Sequence, residues 1–140
     1  MTENRQTTEN NEVLKLTDIT TVFCKIEDGW RTENPEILKL ADKHGFTVAH
    51  QQAYYGWVTD NEEILKLANS NLWAVAHEQV SSGWVTENTE ILKLADVTGQ
   101  TVAHLQARRG WATNNEEILN LTDKNGVTVR YIINNQTKRR

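Results

Sequence analysis

Apolar residues fall along this chain in two kinds of short cluster, and the pair of clusters returns every 27 residues, as Trp30, Trp57, Trp84 and Trp111 mark. One cluster is Gly45-Phe46-Thr47-Val48-Ala49-His50-Gln51-Gln52-Ala53-Tyr54-Tyr55-Gly56-Trp57, which comes back from Leu72 to Trp84 and from Gly99 to Trp111. The other has the pattern Thr-x-x-x-Glu-Ile-Leu-Lys-Leu-Ala-Asp, as from Thr32 to Asp42. A fixed period of this size predicts a stacked repeat architecture.

Each unit reads as two short helices. A hydroxyl at Thr47, Thr101 or Thr128 opens the first by capping free backbone N–H groups. Gly56, Gly83 or Gly110 closes it at the usual place for a left-handed cap. Ala49 and Ala53 lie four apart on one face, as do Ala103 and Ala107, and let neighbouring helices come close. The second helix starts near Asn34-Pro35, with proline where a missing N–H costs nothing. Ile37, Leu38, Leu40 and Ala41 are expected to form its buried face. Glu36 and Lys39, Glu63 and Lys66, and Glu90 and Lys93 pair three apart on its outer face. Neither helix is long enough to stand alone, so stacking must bury the apolar stripes. The expected fold is all-α, an elongated α-solenoid of stacked helix-turn-helix repeats with a thin continuous core. A disordered segment, 1–7, precedes one repeat domain, 8–135, with units of about 8–29, 30–56, 57–83, 84–110 and 111–135. A basic tail, 136–140, follows. The first unit, with its shortened loop and more apolar helix from Thr21 to Asp28, reads as a terminal cap.

Composition narrows the function. With 140 residues there is room for one domain. A formal charge of -4 argues against a general phosphate-backbone binder. The single cysteine, Cys24, is expected as a small apolar core thiol. One cysteine and no signal peptide suggest a reducing, cytoplasmic setting. No apolar run approaches the roughly 20 residues of a membrane span, so no membrane association is expected.

Catalysis finds no support: there is no nucleophile–base set, no glycine-rich phosphate loop and no metal spacing. His50, His77 and His104 would lie one unit apart, on the order of 10 Å, whereas zinc holds its ligands near ~2 Å. No metal, no cofactor and no enzyme activity are expected. Gln52, Gln79 and Gln106 recur and are expected to bond across units, and the tryptophans to fill the groove between units.

The string Asp-x-x-Gly-x-Thr-x-x-His-x-x-Ala-x-x-Gly, as in Asp42 to Gly56 and Asp96 to Gly110, resembles the first half of an ankyrin repeat. The Glu-Ile-Leu-Lys-Leu segment resembles the second ankyrin helix. The resemblance covers about residues 8 to 135. It implies that the repeated histidine bonds neighbouring turns. The departures are Val48 and Ala49 for a Pro-Leu pair, Gln52 for alanine, Trp57 for histidine, and no residues for a projecting β-hairpin. The unit reads as a shortened, all-helical, ankyrin-like repeat, with another short helical solenoid as the alternative.

The positions that change between copies point to the working surface. They are Tyr54-Tyr55, Ser81-Ser82 and Arg108-Arg109, with Glu27-Asp28 and Asn134-Asn135 at the ends, then Phe46, Trp73 and Gln100 before the helix, and the turn residues Lys43-His44, Ser70-Asn71, Val97-Thr98 and Lys124-Asn125. The resemblance implies that ankyrin repeats meet their targets there. Tyr, Trp and Arg are frequent interface anchors. The expected partner-binding residues are Phe46, Tyr54, Tyr55, Trp73, Ser81, Ser82, Gln100, Arg108 and Arg109, aligned along one side, with Trp73 exposed. The leading expectation is a non-enzymatic protein-binding module acting by occupying a partner protein's surface, for instance as a small inhibitor. The alternative is nucleic-acid binding, with Arg108, Arg109, Arg130 and the tail on the backbone and aromatics stacked on bases. A homo-oligomer through Trp73 stays open.

Overall fold

In the computed structural model residues 19–138 are described, the side chains of 137 and 138 excepted. The first expected partner segment, from Thr8, lies outside the described residues. The regular elements among the described residues are all helices, with no strand. Five longer helices, α1 (Ile19–Glu27), α3 (Val48–Tyr54), α5 (Val75–Ser81), α7 (Val102–Arg108) and α9 (Val129–Lys138), alternate with four-residue helices α2 (Pro35–Leu38), α4 (Glu62–Leu65), α6 (Thr89–Leu92) and α8 (Glu116–Leu119). Each longer helix packs on the next: α1 on α3, α3 on α5, α5 on α7 and α7 on α9. Each short helix packs on the longer one that follows it.

The chemistry of the helix ends sets these lengths. Thr47 Oγ1 accepts from the N–H of His50, and His50 Nδ1 accepts from the N–H of Thr47, both at 3.1 Å. Thr101 and His104 repeat the exchange. Ala74 has no hydroxyl, so only the histidine half survives there. At the other end Gly56 takes a φ of 98°, its N–H bonds Ala53, and the Trp57 N–H reaches back to the Gln52 carbonyl. This double return bond is a Schellman cap. It recurs at Gly83 and Gly110 and delivers each tryptophan to the same place.

The core is a single file of small and branched residues. Val48, Ala49 and Ala53, Val75, Ala76 and Val80, and Val102, Ala103 and Ala107 are fully buried. Ile37, Leu38, Ile64, Leu65, Ile91, Leu92, Ile118 and Leu119 close it from the side of the short helices.

Several expectations need correction. The second helix ends at Leu38, so Leu40 and Ala41 lie beyond it, and Leu40 is 37% exposed. There the backbone has other partners: Ala41 forms an isolated antiparallel bridge with Thr47, and the Val48 N–H bonds the Leu40 carbonyl. Lys39 reaches Glu63 of the next unit at 2.6 Å, and Lys93 likewise reaches Glu117. Lys66 sits 3.8 Å from Glu62, four residues back. Such exposed pairs contribute little. Helix α9 runs through Lys138 and so extends into the stretch expected as a tail.

The recurring polar residues pair backbone that belongs to no helix. The Thr32 N–H donates to Gln52 Oε1 at 2.8 Å, and Gln52 Nε2 donates to the Thr32 carbonyl at 3.2 Å. Gln79 holds Thr59 and Gln106 holds Thr86 in the same way. All three glutamines are buried. His50 Nε2 donates to the Trp73 carbonyl of the next unit at 2.7 Å, His77 to Gln100 and His104 to Val127. With Nδ1 accepting and Nε2 donating, each ring is the neutral Nε2–H tautomer. Successive turns also join through Ser70 N–H to His44, Val97 N–H to Asn71 and Lys124 N–H to Thr98.

Replacing Gln52 by Leu strands a buried N–H and a buried carbonyl at Thr32. The expected loss is about 2–4 kcal/mol by urea unfolding; a loss under about 0.5 kcal/mol would show that water or a shifted loop replaces the carboxamide.

The histidines make a second prediction. Burial holds the pKa of His50, His77 and His104 below the ordinary 6.5, against the opposing pull of their carbonyl partners. The unfolded chain therefore takes up protons first as pH falls. Stability is full above pH 6.5 and declines below it, by at most about 1.4 kcal/mol per pH unit for each histidine. Proton NMR of the folded protein should show these rings still neutral at pH 6.5, and midpoints at or above that value would refute the assignment.

Candidate functional site

The expected binding residues fall in two groups along α3, α5 and α7. They form two rows at opposite ends of α3, α5 and α7, about 10 Å apart for helices of seven residues. Phe46, Trp73 and Gln100 precede the helix N-termini and are half-buried. Phe46 meets Phe23 edge-on at 5.7 Å and tilts over His50 at 5.0 Å. Trp73, expected to be exposed, stacks on His77 at 4.8 Å, and its Nε1–H donates to Glu78 Oε1 at 2.9 Å. The Gln100 carbonyl accepts from His77, and its N–H donates to Asp96. The side chains of Phe46 and Trp73 are built into contacts between helices and turns, and Gln100 joins them through its backbone.

Tyr54, Tyr55, Ser81, Ser82, Arg108 and Arg109 make the second row, in the last turn and C-cap of the three helices, and all are exposed. Tyr54 is 60% exposed and meets Tyr55 edge-on at 5.0 Å. Ser82 Oγ donates to the Ala53 carbonyl at 3.1 Å. Among the described residues, the guanidinium groups of Arg108 and Arg109 form no ion pair. Glu27 and Asp28 are exposed at the acidic end of the row. At the other end the 27-residue register falls on Asn135 and Gln136, one place later than expected, and Gln136 Nε2 donates to the Arg108 carbonyl.

A middle position joins the rows: Gln51, Glu78 and Leu105, each half-buried and three or four residues before the second row on the same helix face. Comparison of the copies carries the signal, since this position changes every time. Burial raises the pKa of Glu78, with the bond from Trp73 opposing. Cys24 holds the matching place on α1 and is exposed, contrary to its expected place in the core, because Val22 and Ile26 fill the inward face. Among the described residues no three His, Cys, Asp or Glu side chains are grouped to hold a metal ion, and no helix is long and apolar enough to cross a membrane.

The turns contain one anomaly that the sequence reading passed over. Gly45, Gly99 and Gly126 have φ near 80°, and the same place in the remaining turn is Leu72, at φ 60°. A Cβ at Gly45 would come 3.1 Å from Asn69 Cα, and at Gly99 2.9 Å from Lys124 N. Leu72 takes this left-handed conformation although its side chain is 53% exposed and recovers little burial. Leu72→Gly is expected to stabilise the free protein by about 1 kcal/mol, read as a rise in thermal midpoint of about 3 °C. An unchanged or lower midpoint would mean that Leu72 contacts repay the strain.

No protein-family model matches the chain, and no curated protein matches it.

Proposed function

We propose that this chain is a non-enzymatic protein-binding module: a single domain of stacked, ankyrin-like helical repeats without the projecting hairpin. Its partner lies across the C-terminal ends of α3, α5 and α7. The observation that carries this reading is the contrast between positions. Gln52, His50 and their counterparts are bonded within the scaffold in all three units that carry them. Tyr54, Tyr55, Arg108 and Arg109 are exposed, and their side chains form no hydrogen bond or ion pair among the described residues. Two tyrosines on a rigid row supply large contact area at little cost in ordering, and two arginines supply charge. Such a surface acts by covering its partner, and inhibition of that partner is the natural outcome. An exposed free thiol at Cys24 suits a reducing, cytoplasmic setting. Glu27 and Asp28 on the same row oppose a phosphate-backbone track.

The test is capture from source-cell lysate by the wild-type protein beside a variant with Tyr54→Ala, Tyr55→Ala, Arg108→Glu and Arg109→Glu, both shown to be helical by circular dichroism. Trp73 stays unchanged because its contacts are structural. A protein held by the wild type should bind the variant at least about 100-fold more weakly. Equal capture by both would sink the assignment of the face.

A further inference from the structure

Between Trp84 and Trp111 the ladder opens into a groove of about 370 Å³, lined mainly by Val80, Trp84, Val85, Gln106, Arg109 and Trp111. The two indoles are half-buried and packed against the core, so they form fixed walls. Val85, 53% exposed, adds apolar surface at the mouth. Two polar groups here are already occupied. The Gln106 carboxamide holds Thr86, and Trp111 Nε1–H donates to Glu87 Oε2 at 2.9 Å. Arg109 brings a guanidinium that has no carboxylate partner among the described residues. At the preceding steps of the ladder this place is held by Ser82 and Tyr55; at the Trp30 step the Arg31 guanidinium is bonded to the Ile26, Trp30 and Tyr55 carbonyls, so of the three steps this one presents a guanidinium without a bonded partner among the described residues.

We infer that this groove receives an acidic–apolar peptide segment of the protein partner, an apolar side chain lying between the indoles of Trp84 and Trp111 and a neighbouring carboxylate pairing with Arg109. The volume admits one aromatic or branched side chain with its backbone, at the lower end of the usual range for ligand sites, about 300–1,000 Å³. A guanidinium binds a carboxylate through two parallel hydrogen bonds, which fixes the direction in which the segment runs. The inference rests on the protein-binding reading and gives the chemistry of the partner at one end of that surface.

The experiment uses two peptides, acetyl-Glu-Phe-Glu-amide and acetyl-Lys-Phe-Lys-amide, titrated into the nitrogen-15-labelled protein up to about 10 mM, the range of weak fragment binding. The indole Nε1–H signals of Trp84 and Trp111 should move with the acidic peptide, at least tenfold more weakly with the basic one, while Trp57 stays still. Arg109→Glu, at an exposed position, should reverse the preference. No movement, equal movement with both peptides, or a preference that survives Arg109→Glu would overturn the inference. If the wild type captures a partner from lysate and these peptides fail, the groove is wrong and the wider reading stands. If the acidic peptide binds and no partner is captured, the groove holds and the wider reading fails.

Discussion

Backbone that belongs to no helix must still pair its N–H and carbonyl groups when buried, and this structure depends on how that is done. After α1, α3, α5 and α7 the chain runs outside regular structure for several residues before a helix of only four. In a sheet, a neighbouring strand would supply the partners. Here a glutamine carboxamide does: its oxygen and nitrogen grip the N–H and carbonyl of one threonine. The same glutamine's own carbonyl accepts the tryptophan N–H in the helix cap. One residue thus ties together the end of its helix, the placing of the tryptophan and the preceding loop. The histidine does similar work at the other end, closing its own N-cap and bonding the next turn.

These bonds matter because the core is thin. A helix of seven residues has two turns and does not persist alone. Alanine and valine at the contact bring helices close but offer little apolar area. Stability therefore lies between each helix and the next, which pack on one another in chain order. It resides in glutamine clamps, histidine bridges and backbone bonds from turn to turn. Surface pairs such as Lys39 with Glu63 follow the same register, but in water they count for little.

The period, the caps and the close-approach alanines were legible in the sequence because each rests on a local rule. The threonine cap, the glycine after the helix and the proline at the start of α2 act within a few residues. Bonding by the repeated glutamines across units was legible from their recurrence, and that by the histidines from the ankyrin resemblance. What failed was decided outside such local rules. Ile-Leu-Lys-Leu-Ala reads as continuing helix, yet the bridge from Ala41 to Thr47 ends it at Leu38. Lys39 looks paired with Glu36 until the next unit brings Glu63 within reach. Cys24 looked like core because its segment is apolar, but Val22 and Ile26 already occupy the inward face. Leu72 was in plain view as the one departure from glycine in its turn series, and its meaning is conformational.

Variation between copies alone could not separate scaffold from working surface. Phe46, Trp73 and Gln100 differ as much as Tyr54, Ser81 and Arg108 do. Yet the Phe46 and Trp73 rings lean on histidines, so changing them alters how neighbouring helices and turns meet, whereas Gln100 bonds His77 through its backbone carbonyl alone. The second three stand past the last buried residues of their helices, where the Schellman cap has already satisfied the backbone. A side chain there can change from tyrosine to serine to arginine without disturbing the stack. That freedom lets one end of the row be aromatic and the other basic on an unchanged frame.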